Sequence, residues 1–326
     1  MTDITGFELF QTLTHIKILE QISQNEISSE KEKDIVKLLD SLFINVFYLR
    51  HEYLFEEIYR ITINKNILKS NKRIKDIRHL KYPPDKSYVT KYGRCNMPGQ
   101  PIFYGSLMRM TSLNELKPKV GDLITESTWV PKIDTPLLYL PIFLNQPTNE
   151  PFINRDTGEV IPGLTNIRTL EMEQSFSNFL KDYPPNTKKL YYAIMKFMAD
   201  CFSKSINSAN HWNYFFSAYL SDKFFNLVEE GKIQAIYYPS VPDKLNSENL
   251  AIKPDAFDKT YKLSKVEESI LFQDPRDGRR GYGMDAVANC TNFNDETNEI
   301  LWSGEKYNFS KEKFEFYKKH FGLDLD

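Results

Sequence analysis

The sequence predicts an α+β fold, and three observations carry that expectation. Hydrophobic residues make up 41% of the 326 and charged residues 26%, a composition that folds in water. Helical and extended patterns are both present along the chain. They succeed one another without the regular strand–helix alternation that a doubly wound parallel sheet requires.

Taken in order, residues 7–58 read as helical. Phe7, Phe10, Leu13 and Ile16 recur at helical spacing, followed by Ile18 and Leu19. After a polar break from Asn25 to Glu32, Ile35, Leu38, Leu39, Leu42, Phe43, Val46 and Phe47 mark a second amphipathic helix. Arg60-Ile61-Thr62-Ile63 alternates as a strand does, and the basic stretch Lys69 to Lys81 follows. Tyr82-Pro83-Pro84 breaks regular structure. Pro101 to Tyr104 reads as a short buried strand, Met108 to Leu116 as a helix, and Gly121 to Trp129 as another strand. Residues 145–170 are rich in Pro, Asn, Gly and Thr and read as a long loop or small hairpin. Lys188 to Ser205 and Phe215 to Glu230 are helical, and Ile233 to Tyr238 is a strand ending at Pro239. After Pro254 the pattern is one of short mixed strands with a glycine-rich turn from Gly278 to Gly283.

Charge and composition narrow the function classes. With 42 basic and 44 acidic residues the net charge is −2. Direct nucleic-acid binding is therefore not expected, since it draws on a basic excess that displaces counterions. No stretch approaches the roughly 20 apolar residues of a membrane span, and Met1-Thr2-Asp3-Ile4 lacks the layout of a secretion signal. Cys95, Cys201 and Cys290 are odd in number and far apart, which suggests neither a disulfide framework nor a zinc cluster. The five histidines have no metal spacing. The expectation is a cytoplasmic protein with no bound metal and no membrane partner.

Three local patterns stand out. One runs Tyr92-Gly93-Arg94-Cys95-Asn96, then Pro98-Gly99, Phe103-Tyr104-Gly105-Ser106 and Glu115. Another is Tyr238-Pro239-Ser240, followed by Asn249-Leu250-Ala251-Ile252. The third is Ile58-Tyr59-Arg60, upstream of both. Together they resemble the RES family of bacterial NAD⁺-consuming enzymes, whose hallmark stretch is Gly-Arg-x-Asn, Pro-Gly-x-Pro, an aliphatic–Tyr pair and a later Glu. Phe103 stands in the aliphatic place, with ten positions from Arg94 to Tyr104 and eleven from Tyr104 to Glu115.

The resemblance spans roughly residues 58–263. It implies an ADP-ribosyltransferase-like mixed β core with surrounding helices, acting on NAD⁺ as substrate rather than as resident cofactor. It divides the chain into an N-terminal helical segment at 1–55, a catalytic domain at 56–263 and a C-terminal extension at 264–326. A helix-turn-helix antitoxin is the family's partner; self-association is the other expectation. The N-terminal helices, the 145–170 loop and the tail depart from the small family toxins.

Residue chemistry agrees with that implication. Breaking the nicotinamide–ribose bond builds oxocarbenium-like charge on the sugar, which a carboxylate beside the ribose stabilises. Glu115 is the expected carboxylate. Arginine grips a pyrophosphate with parallel hydrogen bonds, and Arg60 and Arg94 are the candidates. Arg60 lies farther from the Gly-Arg-x-Asn stretch than the family's first arginine usually does, so Arg73 and Arg78 compete with it. Tyr104 offers a ring and a hydroxyl near the nicotinamide or ribose. Arg60, Tyr104 and Glu115 are thus expected at the reacting centre. Arg94, with Asn96 and Tyr92 supporting its loop, and Ser240 are expected to bind the dinucleotide. Whether water, phosphate or a protein accepts the ADP-ribosyl group stays open, so a glycohydrolase or phosphorylase and a protein ADP-ribosyltransferase share these residues. A non-catalytic nucleotide-binding module is the reading from another class.

Overall fold

The computed structural model describes residues 3–22, 27, 29–43, 48–143, 152–153, 160–161, 167–204, 210–243, 247–278, 281–302 and 307–325. Val46 and Phe47 of the expected second helix, most of the 145–170 loop, and Arg279 and Arg280 lie outside them. The fold is mixed α+β, in two compact units that each draw on separated parts of the chain. One comprises Met1–Tyr53, Lys86–Gln100 and Leu138–Ala251; the other comprises Leu54–Asp85, Pro101–Leu137 and Ile252–Asp326. Both units thus take residues from 56–263, and 264–326 falls wholly within the second.

The first unit opens on helix Gly6–Gln21, started by a reciprocal cap. Thr5 Oγ1 accepts from Glu8 N at 3.2 Å and Glu8 Oε2 accepts from Thr5 N at 2.7 Å. The expected apolar face is only partly used. Ile16 and Leu19 are buried, whereas Phe7 and Phe10 are 72% and 68% exposed, so spacing identified the helix and misjudged its buried side. Asp3 anchors this segment by accepting from Thr187 N at 3.0 Å, in the first turn of helix Pro185–Ser203. Helix Ser29–Phe43 buries Ile35, Leu39 and Leu42.

The strands of the first unit run in the order His51–Tyr53, Leu137–Pro141, Ala235–Pro239, Glu248–Ile252. Leu137–Pro141 and Ala235–Pro239 are parallel, with Tyr139 opposite Ala235. A parallel pair needs a long crossover, and helices Ile167–Leu180, Pro185–Ser203 and Phe215–Asn226 supply it. Phe215–Asn226 buries Phe215, Phe216, Leu220, Phe224 and Phe225, so apolar side chains surround most of its circumference.

The second unit is an antiparallel ladder in the order Phe103–Ser106, Ile58–Ile63, Leu123–Pro131, Tyr261–Gln273, Gly283–Cys290. The tail beyond Pro254 has the expected short strands at Phe293–Asn294 and Glu299–Ile300, but longer elements dominate it. It holds helix Pro254–Thr260, one 13-residue strand and helix Lys311–Phe321. The long strand carries Lys262, Ser264, Lys265, Glu267 and Glu268 among its apolar residues. Those charges obscure the period-two signal, and the cross-strand ladder overrides it.

Partners across an antiparallel pair share a face, which sorts the side chains of this sheet. Arg60 lies opposite Ser127 and Ile58 opposite Trp129; Ile61 lies opposite Glu126 and Ile63 opposite Ile124. Helix Arg109–Leu116 covers the second of these faces, where Leu113 packs with Ile61, Ile63 and Ile124. Gly105 is required at its place, because a Cβ there would lie 2.4 Å from Ile58 Cγ2.

On the Arg60 face an ion pair is sealed in the core. Arg73 Nε donates to Glu268 Oε2 at 2.7 Å with side-chain exposures of 6% and 0%. The Arg73 guanidinium also lies 4.6 Å from the Trp302 ring centroid. Asn64 Nδ2 donates to Lys72 O at 2.8 Å, and its Oδ1 accepts from Thr125 Oγ1 at 2.7 Å. Burial pushes the Glu268 carboxyl pKa up against the opposing pull of Arg73. Removing one member of such a pair strands the other charge, at about 3–5 kcal/mol. Glu268→Ala is therefore expected to lower the free energy of unfolding in denaturant by that amount, and Arg73→Met combined with Glu268→Leu by much less. A single variant with wild-type stability would contradict this assignment.

Candidate functional site

Arg60, Tyr104 and Glu115 belong to the second unit; Tyr92, Arg94, Asn96 and Ser240 belong to the first. In the second unit Arg60 is held at the middle of strand Ile58–Ile63. Its Nη1 donates to Tyr104 O at 2.7 Å and its guanidinium carbon lies 5.5 Å from the Phe103 ring centroid. Phe103 stacks on Phe257 with centroids 3.8 Å apart, and Trp129 meets both rings edge-on. Arg60 Nε is enclosed without a hydrogen-bond partner. Among the described residues no carboxylate pairs with this guanidinium. Burial pushes its pKa down to about 10, which leaves it charged at neutral pH.

The two competing arginines are neutralised. Arg73 is paired with Glu268, and exposed Arg78 is bound to the Asp76 carboxylate through Nη2 at 2.7 Å and Nε at 3.0 Å. Of the three, Arg60 alone keeps an uncompensated charge within reach of aromatic rings.

Tyr104 meets Arg60 through its backbone. Glu115 is half-buried near the end of helix Arg109–Leu116, which covers the second face. The sheet therefore separates the Arg60 side chain from helix Arg109–Leu116, which carries Glu115.

The second face carries a carboxylate that motif reading missed. Glu126 is 8% exposed and sits directly opposite Glu267 on the neighbouring strand. Arg109 bridges the two, Nε to Glu126 at 2.5 Å and Nη2 to Glu267 at 2.8 Å. Burial pushes the Glu126 pKa up, Arg109 opposes it, and Glu267 adds to the rise. The available signal was a single acid inside the otherwise uncharged strand Leu123–Pro131. Burial and Glu267 thus favour the protonated form of Glu126, and Arg109 the ionised one.

In the first unit Arg94 is buried, and its guanidinium closes the carboxyl end of helix Pro185–Ser203. Nη1 donates to Phe202 O and Nη2 to Lys204 O at 3.2 Å. These are carbonyls that a helix end leaves without intrahelical donors. The Tyr214 ring lies 5.1 Å from the guanidinium. Gly93 N donates to Asn96 O at 3.0 Å, and Asn96 Nδ2 donates to Met97 O at 3.0 Å, so Asn96 closes the Arg94 turn. Tyr92 is a core ring, 5.7 Å from His211, 5.2 Å from Trp212 and 5.4 Å from Phe215. Ser240 follows strand Ala235–Pro239, is buried, and its N donates to Ser247 O at 2.7 Å.

Hydrogen bonds to a charged group contribute about 1.5–3 kcal/mol each. Arg94→Ala is thus expected to lower the thermal midpoint of unfolding, and Arg94→Lys to recover only part of the loss because it cannot span both carbonyls. An Arg94→Ala protein as stable as wild type would show that the helix end does not depend on this residue.

Among the described residues no group of His, Cys, Asp or Glu side chains is arranged to hold a metal ion, and no helix is long and apolar enough to cross a membrane. Comparison with protein-family models, with curated proteins and with solved structures finds no match to the chain.

Proposed function

We propose that this chain is an NAD⁺-consuming enzyme of RES type, with an ADP-ribosyltransferase-like fold, that cleaves the nicotinamide–ribose bond. The observation that carries the reading is Arg60. A guanidinium with an enclosed, unpartnered Nε and, among the described residues, no carboxylate beside it lowers stability unless an anion compensates it. A pyrophosphate supplies that anion and occupies the remaining donors of the planar fork. Phe103 and Trp129 on the same face offer flat apolar surface to a base or nicotinamide ring.

Cleavage then needs a carboxylate where positive charge develops on the ribose, and Glu115 is proposed for that role. Glu126 is a second carboxylate on the face that helix Arg109–Leu116 covers, bridged to Glu267 by Arg109, and is the alternative to Glu115 for that role. Arg94, Asn96, Tyr92 and Ser240 belong to the first unit and carry no part of this reading, since the Arg94 donors are held by the end of helix Pro185–Ser203. Water or phosphate is the proposed acceptor, and a protein acceptor would make the same site an ADP-ribosyltransferase.

One observation favours a second reading, a module that binds a nucleotide without turnover: Arg60 and the helix bearing Glu115 occupy opposite faces of the sheet. Calorimetric titration with NAD⁺, ADP-ribose and nicotinamide tests what both readings share. NAD⁺ and ADP-ribose are expected to bind with similar affinity and nicotinamide far more weakly, because the charged diphosphate carries recognition. Absence of NAD⁺ binding would remove both readings, and equal affinity for nicotinamide alone would remove the role of Arg60.

A further inference from the structure

We propose that the second unit holds another binding site, for a phosphate-bearing small molecule, in a cleft lined by Lys65, Lys69, Ser70, Val120, Gly121 and Phe321. It is independent of the NAD⁺ reading, and its lining does not include Arg60. The cleft has a volume of about 370 Å³, within the span of roughly 300–1,000 Å³ common for small-molecule sites.

Its walls are tied together by one buried side chain. Asn71 Nδ2 donates to Gly121 O and to Phe321 O, each at 2.7 Å, and Asn71 Oδ1 accepts from Leu123 N at 3.1 Å. Those bonds join the loop after helix Asn64–Leu68, the loop before strand Leu123–Pro131 and the end of helix Lys311–Phe321. Gly121 is necessary to the closure. Its φ is +89°, and a Cβ there would lie 2.7 Å from the Phe321 ring. The cleft is therefore preformed, and its binding groups lose little freedom on occupation.

Its charge is one-sided. Lys65 is paired with Asp122, a carboxylate whose other oxygen accepts from Lys119 N at 2.8 Å. Lys69 has only a carbonyl partner, Asn66 O at 3.3 Å, and among the described residues no carboxylate pairs with it. Lys69 also occupies the left-handed position after its helix, at φ 62°. Glycine fills such positions at lower conformational cost. Lys119, Lys318 and Lys319 adjoin the lining in sequence, and the nearby acid Asp324 is engaged by Lys72 at 3.4 Å. Among the described residues the lining itself carries two lysines and no carboxylate, and a concave surface of one charge sign focuses potential on an anion. The Lys69 ammonium and the Ser70 hydroxyl, with Lys65 beside them in its ion pair with Asp122, suit a phosphate or diphosphate. Val120 and Phe321 offer an apolar wall for the organic body attached to it.

Pyrophosphate is the probe. Titrated into the full chain at low salt, it is expected to bind more tightly than inorganic phosphate and to shift the backbone amide resonances of Gly121 and of Gly322, which also lines the cleft. Lys69→Gly keeps the left-handed backbone and removes the ammonium. It is expected to weaken pyrophosphate at least tenfold with no fall in thermal midpoint, whereas Lys262→Ala, on an exposed strand position, leaves affinity unchanged. Lys69→Asn, which tolerates the same backbone, replaces the glycine variant should that one fold poorly. Unshifted Gly121 and Gly322 resonances at millimolar pyrophosphate would overturn the proposal. So would an affinity unaltered in the folded Lys69 variant, or one lost equally in Lys262→Ala.

Discussion

Glu115→Gln is expected to lower nicotinamide release by roughly a hundred- to a thousand-fold while NAD⁺ affinity changes little. The argument turns on when each contact matters. Ground-state NAD⁺ is held by its diphosphate and its rings. The ribose gains positive charge only as nicotinamide departs, so a carboxylate facing it acts in the transition state. Groups that stabilise developing charge in such sites contribute ~3–4 kcal/mol. Glu115 is half-buried near the end of helix Arg109–Leu116, outside the cluster of Leu113, Ile61, Ile63 and Ile124 that holds the helix down. Glutamine keeps its size, and the fold is expected to survive. Steady-state turnover alongside calorimetric binding separates the outcomes. A folded Glu115→Gln protein with unchanged turnover would take Glu115 out of the mechanism. The same loss on Glu126→Gln alone would move the carboxylate's role to Glu126, which is more deeply buried and has the raised pKa.

Arg60→Met is expected to do two things that rarely accompany each other. NAD⁺ affinity should fall by roughly 30- to several-thousand-fold, the equivalent of about 2–5 kcal/mol for removing one partner of a buried charge contact. Stability of the unliganded protein should stay level or rise. Among the described residues the guanidinium meets the Tyr104 carbonyl oxygen and the Phe103 ring, and its Nε has no hydrogen-bond partner. Methionine fills similar space without the desolvation cost. Residues kept for binding at the expense of stability behave in this way. Arg60→Lys keeps a charge but not the fork, and should recover little affinity. If Arg60→Met unfolds the chain, the residue is a structural post and the reading loses its main support.

Much of the element order could be read from periodicity. The strand at Ile58–Ile63, the helix at Arg109–Leu116, the strand at Leu123–Pro131 and the helices at Pro185–Ser203 and Phe215–Asn226 all lie within a few residues of their expected places. Each has a continuous apolar stripe or a run of buried positions. The strand Tyr261–Gln273 was obscured because its face alternates between core and charge pairs, with Glu268 buried against Arg73 and Glu267 held by Arg109. No local rule marks a charged residue as an inward-facing one. The exposed Phe7 and Phe10 are the opposite case, an apolar stripe that helical spacing takes for a buried face.

The site was less legible than the fold, because motif order carries no information on sheet faces. Arg94 stands in a pattern that suggests phosphate binding, yet its donors are engaged by the end of helix Pro185–Ser203, a contact more than a hundred positions away in sequence. Tyr104 and Arg60 are joined, but through the Tyr104 carbonyl. Arg73 and Arg78 could be set apart from Arg60 only once their carboxylate partners, Glu268 and Asp76, were known.

The most direct test of the central claim is to incubate the purified chain with NAD⁺, with and without phosphate, and follow the products by mass spectrometry. The account predicts free nicotinamide together with ADP-ribose, or with phosphorylated ADP-ribose when phosphate is present, and neither product from Glu115→Gln. Intact NAD⁺ after prolonged incubation with a folded, NAD⁺-binding protein would contradict it and leave a nucleotide-binding module in its place.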